Sequence, residues 1–260
     1  MSNSRVYNFS AGPAVLPLPV LQRPQEDLLF LPGAGASILD ISHRSSQFSE
    51  ILASATRNLS QLLSLPDDYT ILYLQGGSRL QFSMVPMNLL RGQSGPADYV
   101  LTGSWGKKAI AEAKKEGEVH VAWDGKDNQY NCIPGSGELN LSNGTAYTHV
   151  PSNETIEGVQ FSTEPECGDS PLVCDASSDF LHRPIDVSRY GLIYACAQKN
   201  AGPAGITIVV IRNDLLERSG DSLPGYLNYR LHAENNSLYN TPTTFGVYLV
   251  DLIAQWLRNE

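Results

Sequence analysis

A chain of 260 residues with 42% apolar and 17% charged side chains can bury a full core and has the composition of a globular protein, not of a disordered or fibrous one. Its formal charge of −9 argues against a nucleic-acid-binding surface and leaves a local anion site open. The four cysteines, Cys132, Cys167, Cys174 and Cys196, form no CxxC or Cys/His metal spacing, no apolar run is long enough for a bilayer and no secretory signal is present, so the expectation is a metal-free cytoplasmic protein without a membrane partner.

In chain order, residues 1–17 read as an extended arm broken by Gly12-Pro13 and Pro17. A Pro/Gly-rich stretch follows at 31–35, and the alternation of 37–41 predicts a short strand or extended segment. Ser42-His43-Arg44-Ser45 leads into a predicted helix. Its apolar residues Phe48, Ile51, Leu52, Ala55, Leu59, Leu62 and Leu63 recur at helical spacing, and Pro66 ends it. From there strands and helices alternate. Strands are predicted at 70–74, 99–101, 119–123 and 147–150, and helices at 79–90 and 105–116. Residues 124–143 are polar and read as a loop or hairpin, and 223–239 as irregular and aromatic; 244–257 is a last predicted helix. Such alternation means a mostly parallel sheet covered by helices on both faces, a three-layer α/β/α sandwich.

The stretch 171–211 organises the chemistry. Two bounded apolar runs, 172–174 and 192–195, end close to Asp175 and Lys199, and a third, 206–211, follows a Gly-Pro-Ala-Gly turn. A carboxylate and an amine thus sit just past the ends of neighbouring predicted strands, where open α/β sheets bind ligands. Pyridoxal phosphate needs this pair: a lysine holds it as a Schiff base and a carboxylate pairs with its pyridinium nitrogen. Desolvation favours the neutral amine that attacks the aldehyde. Spacing alone also allows Asp175 to cap a turn and Lys199 to be a solvated loop lysine.

Here the chain resembles the phosphoserine aminotransferase family of the class V aminotransferases. The resemblance rests on AQKNAGPAG around Lys199 and DASS at Asp175, and runs from FSAGPAVLP near the start to YNTPTTF near the end. It implies a fold type I enzyme with pyridoxal 5′-phosphate, Lys199 as the anchoring and proton-carrying lysine, and Asp175 on the pyridinium. Further roles follow on matching segments. Gln75-Gly76-Gly77-Ser78-Arg79 resembles the phosphate loop, usually GGG-x-GQF, with Ser78 and Leu80 in place of two glycines; Ser78 retains both a backbone and a hydroxyl donor. Trp105 in TGSW matches the ring-stacking aromatic, Thr155 in NETIEG the residue on the phenolic oxygen, and Gln198 a phosphate donor. Asn240 and Thr241 match a segment that reaches the partner's cofactor phosphate across a homodimer, and His43-Arg44 in SHRS matches the pair that binds the substrate phosphate, also from the partner subunit. Cys196 stands where a small residue is usual. Each segment also has a plainer reading from the residues themselves: a tight turn at Gly76-Gly77, a buried structural tryptophan, a capping threonine at 155, an N-cap near 241–244, and a solvated Arg44.

The resemblance implies transfer of an amino group from L-glutamate to 3-phosphohydroxypyruvate, giving O-phospho-L-serine in serine biosynthesis. Some bacterial members also serve pyridoxine biosynthesis. It divides the chain into an arm, 1–17, and a large cofactor-binding domain, 18–260. The small C-terminal domain that would follow, with its carboxylate-clamping arginine, is absent from the sequence, so cofactor binding with poor turnover is the expectation. The alternatives are another class V activity, such as serine-glyoxylate transamination, and a cofactor-binding or dimerising relic without turnover.

Overall fold

The computed structural model describes residues 5–260, so the first four residues of the predicted arm lie outside it. The described part of the arm, residues 5–17, carries no helix or strand. After it come α1 (Leu18–Asp27) and α2 (Ser46–Leu62), then β1 (Tyr69–Leu74), α3 (Gly77–Leu89), β2 (Ala97–Leu101), α4 (Ser104–Ala113) and β3 (Val119–Asp124). Strands β4 (Tyr147–Pro151), β5 (Asn153–Glu154), β6 (Val159–Gln160), β7 (Leu172–Asp175), β8 (Tyr190–Cys196) and β9 (Thr207–Arg212) follow. Helices α5 (Asn213–Leu216), α6 (Tyr229–Glu234) and α7 (Thr244–Asn259) complete the described elements.

Seven strands form one sheet in the order β1-β9-β8-β7-β4-β2-β3, and β5 pairs with β6 as a small hairpin. β9 runs antiparallel to both its neighbours, while β2/β3, β2/β4, β4/β7 and β7/β8 are parallel. The sheet is therefore mostly parallel, with one reversed strand.

Alternation within the strands builds the three layers. On one face Tyr190, Ile193, Ala195, Ile208 and Val210 pack with Phe48, Ala55 and Leu59 of α2 and Val247, Val250 and Ala254 of α7. On the other, Leu192, Tyr194, Val209 and Ile211 pack with Phe82 and Val85 of α3 and Ala109 and Ile110 of α4. A strand with a period of two and both faces covered must be apolar throughout, which is why the central strands read as continuous apolar runs.

The topology also decides where ligands meet the sheet. Because β9 is reversed between β1 and β8, β1 runs in the same direction as the parallel strands. The segments after β1, β2, β4, β7 and β8 therefore all emerge at one edge. Register pairs Pro151 with Asp175 and Asp175 with Tyr194, so the ends of β4, β7 and β8 lie side by side.

The structure differs from the sequence reading in three elements. α1 forms despite Pro24 inside it; prolines at the start of a helix cost nothing and Pro24 forfeits one hydrogen bond. It is tied down by the buried Asp27, which accepts from Tyr248 Oη of α7 and pairs with Arg23 Nε at 3.2 Å. Residues 37–41 are turns, not a strand; Ile38 is fully buried because it anchors that turn against Tyr248 and Leu249. Within 223–239, α6 forms under an N-cap from Asn228, whose Oδ1 accepts from Leu231 N at 3.1 Å.

Candidate functional site

A cavity of about 530 Å³ opens at the carboxyl edge of the sheet. Each segment emerging there contributes to it. Gly76, Gly77, Ser78 and Arg79 come after β1 and Trp105 after β2; Thr155 and Ile156 come after β5, just beyond β4; Asp175 ends β7 and Ser177 and Ser178 follow it; Cys196 ends β8 and Gln198 and Lys199 follow it.

Lys199 is half-buried. Its Nζ donates to Thr155 Oγ1 at 2.6 Å and to Ser178 Oγ at 3.1 Å, and lies 5.6 Å from the centre of the Trp105 ring. Asp175 is buried across the cavity. Its Oδ1 accepts from Ser177 N at 3.0 Å and Ser177 Oγ at 2.5 Å, while Oδ2 has no hydrogen bond among the described residues. Burial pushes the Asp175 carboxyl up to about 6, against the two bonds from Ser177 and the attraction of Lys199, with Asp179 adding to the rise.

The loop after β1 is shaped for an anion. Gly76 and Gly77 take φ of +87° and +64°, a region costly for any other residue, and in front of Gly77 the space is open. The N-terminus of α3 follows directly, so backbone N–H groups and the helix dipole face the cavity. Leu80 folds back over Gly76, where any added Cβ would lie 2.7 Å from its own. Leu80, which stands in place of a glycine, is thus accommodated because residue 76 has no side chain. Ser78 Oγ lies 2.5 Å from Ser177 Oγ.

Trp105 is fixed through its backbone. Its N–H donates to Glu154 Oε2 at 3.1 Å, and Gly106 N donates to Glu154 Oε1 at 2.9 Å. Ser104 N and Oγ donate to Glu157 Oε1 at 2.9 and 2.6 Å. Trp105 Nε1 is buried and has no hydrogen-bond partner among the described residues.

The structure gathers Ser78, Arg79, Trp105, Thr155, Asp175, Gln198 and Lys199 around this one cavity. It does not bring His43, Arg44, Asn240 or Thr241 to it. In the turn before α2, Ser42 Oγ accepts from Arg44 N and Ser45 caps the helix through Phe48 N, while the Arg44 side chain is exposed without an acidic partner among the described residues. Asn240 donates to Thr241 O, which also accepts from Gln75 Nε2, and Thr243 makes no side-chain cap for α7.

Several cavity residues were not singled out from sequence. Ala11 and Gly12 of the arm line it, because Ala14 N donates to Gln198 O at 2.8 Å and docks the arm on the lysine segment. A Cβ on Gly12 would come within 3.1 Å of Lys199 Cγ, so glycine there leaves the lysine its room. The FSAGPAVLP motif was the available signal. Ser177 and Ser178, inside DASS, also line the cavity, while Glu154 and Glu157, inside NETIEG, bind the first turn of α4 from outside it; the sequence reading assigns roles only to their neighbours Asp175 and Thr155.

Comparison with known proteins agrees in fold and in sequence. The profile of the family described as aminotransferase class-V matches residues 6–260. Phosphoserine aminotransferase of Rhodopirellula baltica is 53% identical over 98% of this chain and 68% of its own length, and that of Laribacter hongkongensis 52% identical over 98% and 70%. Among solved structures, phosphoserine aminotransferase from Bacillus circulans subsp. alkalophilus superposes with a TM-score of 0.95 at 45% identity, covering 98% of this chain and 70% of that one. The enzyme of that name from Trichomonas vaginalis, solved with pyridoxal phosphate bound, gives 0.92 at 39%, covering 98% and 76%. The chain thus belongs to the phosphoserine aminotransferase family of the class V aminotransferases.

Proposed function

We propose that this chain transfers the amino group of L-glutamate to 3-phosphohydroxypyruvate, giving 2-oxoglutarate and O-phospho-L-serine, with pyridoxal 5′-phosphate as cofactor. The observation that carries this reading is the convergence of Lys199, Asp175, Trp105 and Thr155, distant in sequence, on one cavity. The residues present fit the cofactor: an amine and a buried carboxylate in one cavity, an orphaned indole N–H, and an anion loop with open space before Gly77.

Bound there, the cofactor supplies an electron sink for the pair left on the substrate α-carbon when its proton departs. The residues of this chain do the rest. Lys199 Nζ anchors the cofactor and then carries the α-proton, with Ser178 and Thr155 within hydrogen-bond reach to orient it. Asp175, through the unpartnered Oδ2, supplies the negative charge that keeps the ring nitrogen protonated. Trp105 offers its face for stacking. The backbone of Gly77, Ser78 and Arg79 at the start of α3, together with Gln198, holds the phosphate.

His43, Arg44, Asn240 and Thr241 find their use in a homodimer with shared sites. In it Asn240 and Thr241 of one subunit reach the cofactor phosphate of the other, and His43 and Arg44 grip the substrate phosphate. Arg44, exposed and without an acidic partner among the described residues, is available for that bidentate contact. The proposed compartment is the cytoplasm; among the described residues no helix is long and apolar enough to cross a membrane.

The test is glutamate-dependent amination of 3-phosphohydroxypyruvate against hydroxypyruvate. The phosphorylated substrate should be preferred by roughly 100-fold or more, as expected for a buried charge-assisted contact. Equal use of the two would overturn the assignment of substrate class.

A further inference from the structure

The hydroxyl chain beside Asp175 has a direction that hydrogen counting settles. Ser177 Oγ lies 2.5 Å from Asp175 Oδ1, 3.2 Å from Cys196 N and 2.5 Å from Ser78 Oγ. A hydroxyl has one hydrogen and two lone pairs. The ionised carboxylate can only accept, so Ser177 gives its hydrogen to Asp175. The amide of Cys196 can only donate, so it takes one lone pair of Ser177. The remaining lone pair can meet Ser78 only if Ser78 donates. Ser78 therefore spends its single hydrogen on Ser177 and turns lone pairs toward the cavity, where an anion would be repelled.

From this geometry we infer that Ser78 is a positioning residue for Asp175, acting through Ser177, and that its side chain is not a donor to a bound anion. The inference rests on the proposed function only in taking Asp175 as the carboxylate that meets the cofactor ring. Donation by Ser78 polarises the Ser177 hydroxyl and strengthens its charge-assisted bond to Oδ1. Oδ1 is thereby saturated from one side and the carboxylate is fixed with Oδ2 free. An anion at the loop draws instead on the backbone N–H groups of the first turn of α3. This changes the expectation for Ser78: its backbone donor stands, its hydroxyl donor is already committed.

The other ionisable groups that bear on Asp175 are Lys199, Asp179, Glu154, Tyr194 and Cys174, and all remain in a Ser78 variant. A change on substitution therefore reports the hydroxyl. The experiment uses the full chain without cofactor. The Asp175 carboxyl is titrated by carbon-13 NMR, assigned by its loss in Asp175→Asn, and inorganic phosphate binding is measured by calorimetry. Ser78→Ala should raise the Asp175 midpoint by roughly half a pH unit, since a carboxylate loses support for its charged form. Phosphate affinity should change less than about 2-fold, because the backbone donors remain. Ser78→Thr, which keeps the hydroxyl, should restore the midpoint. An unmoved midpoint in Ser78→Ala overturns the inference, as does a tenfold or greater loss of phosphate affinity. Neither readout needs turnover, so failure of the proposed reaction would leave this result standing.

Discussion

Asp175 is the residue at which function and stability pull apart. In an unfolded chain its carboxyl titrates near 3.9, whereas burial in the cavity wall raises it to about 6. The folded state thus holds the proton more tightly. The resulting stabilisation is fully present below about pH 4 and is lost as the pH rises through 6. Above that, an ionised carboxylate is kept buried at a disadvantage of about 3 kcal/mol, which the cationic ring nitrogen of the proposed cofactor would offset. Asp175→Asn should therefore make the cofactor-free chain more stable at pH 8 by up to about 3 kcal/mol, with the difference vanishing toward pH 4. Urea denaturation at the two pH values measures this, and cofactor affinity should fall in the same variant. A variant no more stable than the parent at pH 8 would mean that the carboxylate is already compensated without cofactor. At this scale the sequence was legible where a residue has a role that spacing or motif can mark. Asp175 and Lys199 end apolar runs, and Trp105 and Thr155 sit in TGSW and NETIEG. Ser177 was not legible, because its role depends on three partners from β7, β8 and the loop after β1 that only the fold assembles.

At the level of elements, the site depends on how α4 begins. Its first-turn N–H groups, which have no partner within the helix, are taken by the carboxylates of Glu154 and Glu157. One side-chain pair thus locks the segment carrying Thr155 to the helix carrying Trp105. Glu154 is fully buried, and burial raises its carboxyl above the usual range while the bonds from Gly106 and Trp105 hold it down. Gly103 makes room for the pair: a Cβ there would lie 2.5 Å from Glu157 Oε2 and 2.8 Å from Glu154 Cδ. Glu154→Ala strands two buried donors and should cost about 2–4 kcal/mol. Glu154→Gln, which keeps one acceptor, should cost less, and denaturation of the two variants decides the order. Equal losses would point to packing and not to the capped N–H groups. The helices with clear apolar periodicity, α2 and α7, were readable in advance. α1 was hidden by its prolines and α6 by its six residues; α1 is held by Tyr248, and α6 by its local Asn228 cap together with the packing of Tyr229.

Across the whole molecule, the described chain leaves groups that its own cavity does not use. Val6, Tyr7 and Phe9 of the arm are 84%, 94% and 93% exposed, far more than isolated apolar residues need explain. Arg44 and Asn240 lie away from the cavity formed by their own chain. The proposed homodimer with shared sites gives both facts one cause and makes a quantitative prediction. Lys199→Ala and Arg44→Ala should each be inactive alone or nearly so. Mixed in equal amounts and allowed to exchange subunits, they should recover up to about a quarter of the parent activity, because half of the dimers then carry one intact site of two. No recovery despite demonstrated exchange would show that Arg44 serves its own chain. The three-layer fold was readable from alternating elements, but the reversed strand β9 was not, since an apolar run buried on both faces looks the same in either direction.

Reduction of the cofactor-loaded chain with borohydride, followed by proteolysis and mass spectrometry of the labelled peptide, tests the assignment of the site most directly. The expected result is a pyridoxyl group on Lys199, and none in Lys199→Ala. A label on Lys108 instead, whose Nζ lies 4.0 Å over the Trp105 ring, or no label on any lysine, would contradict it.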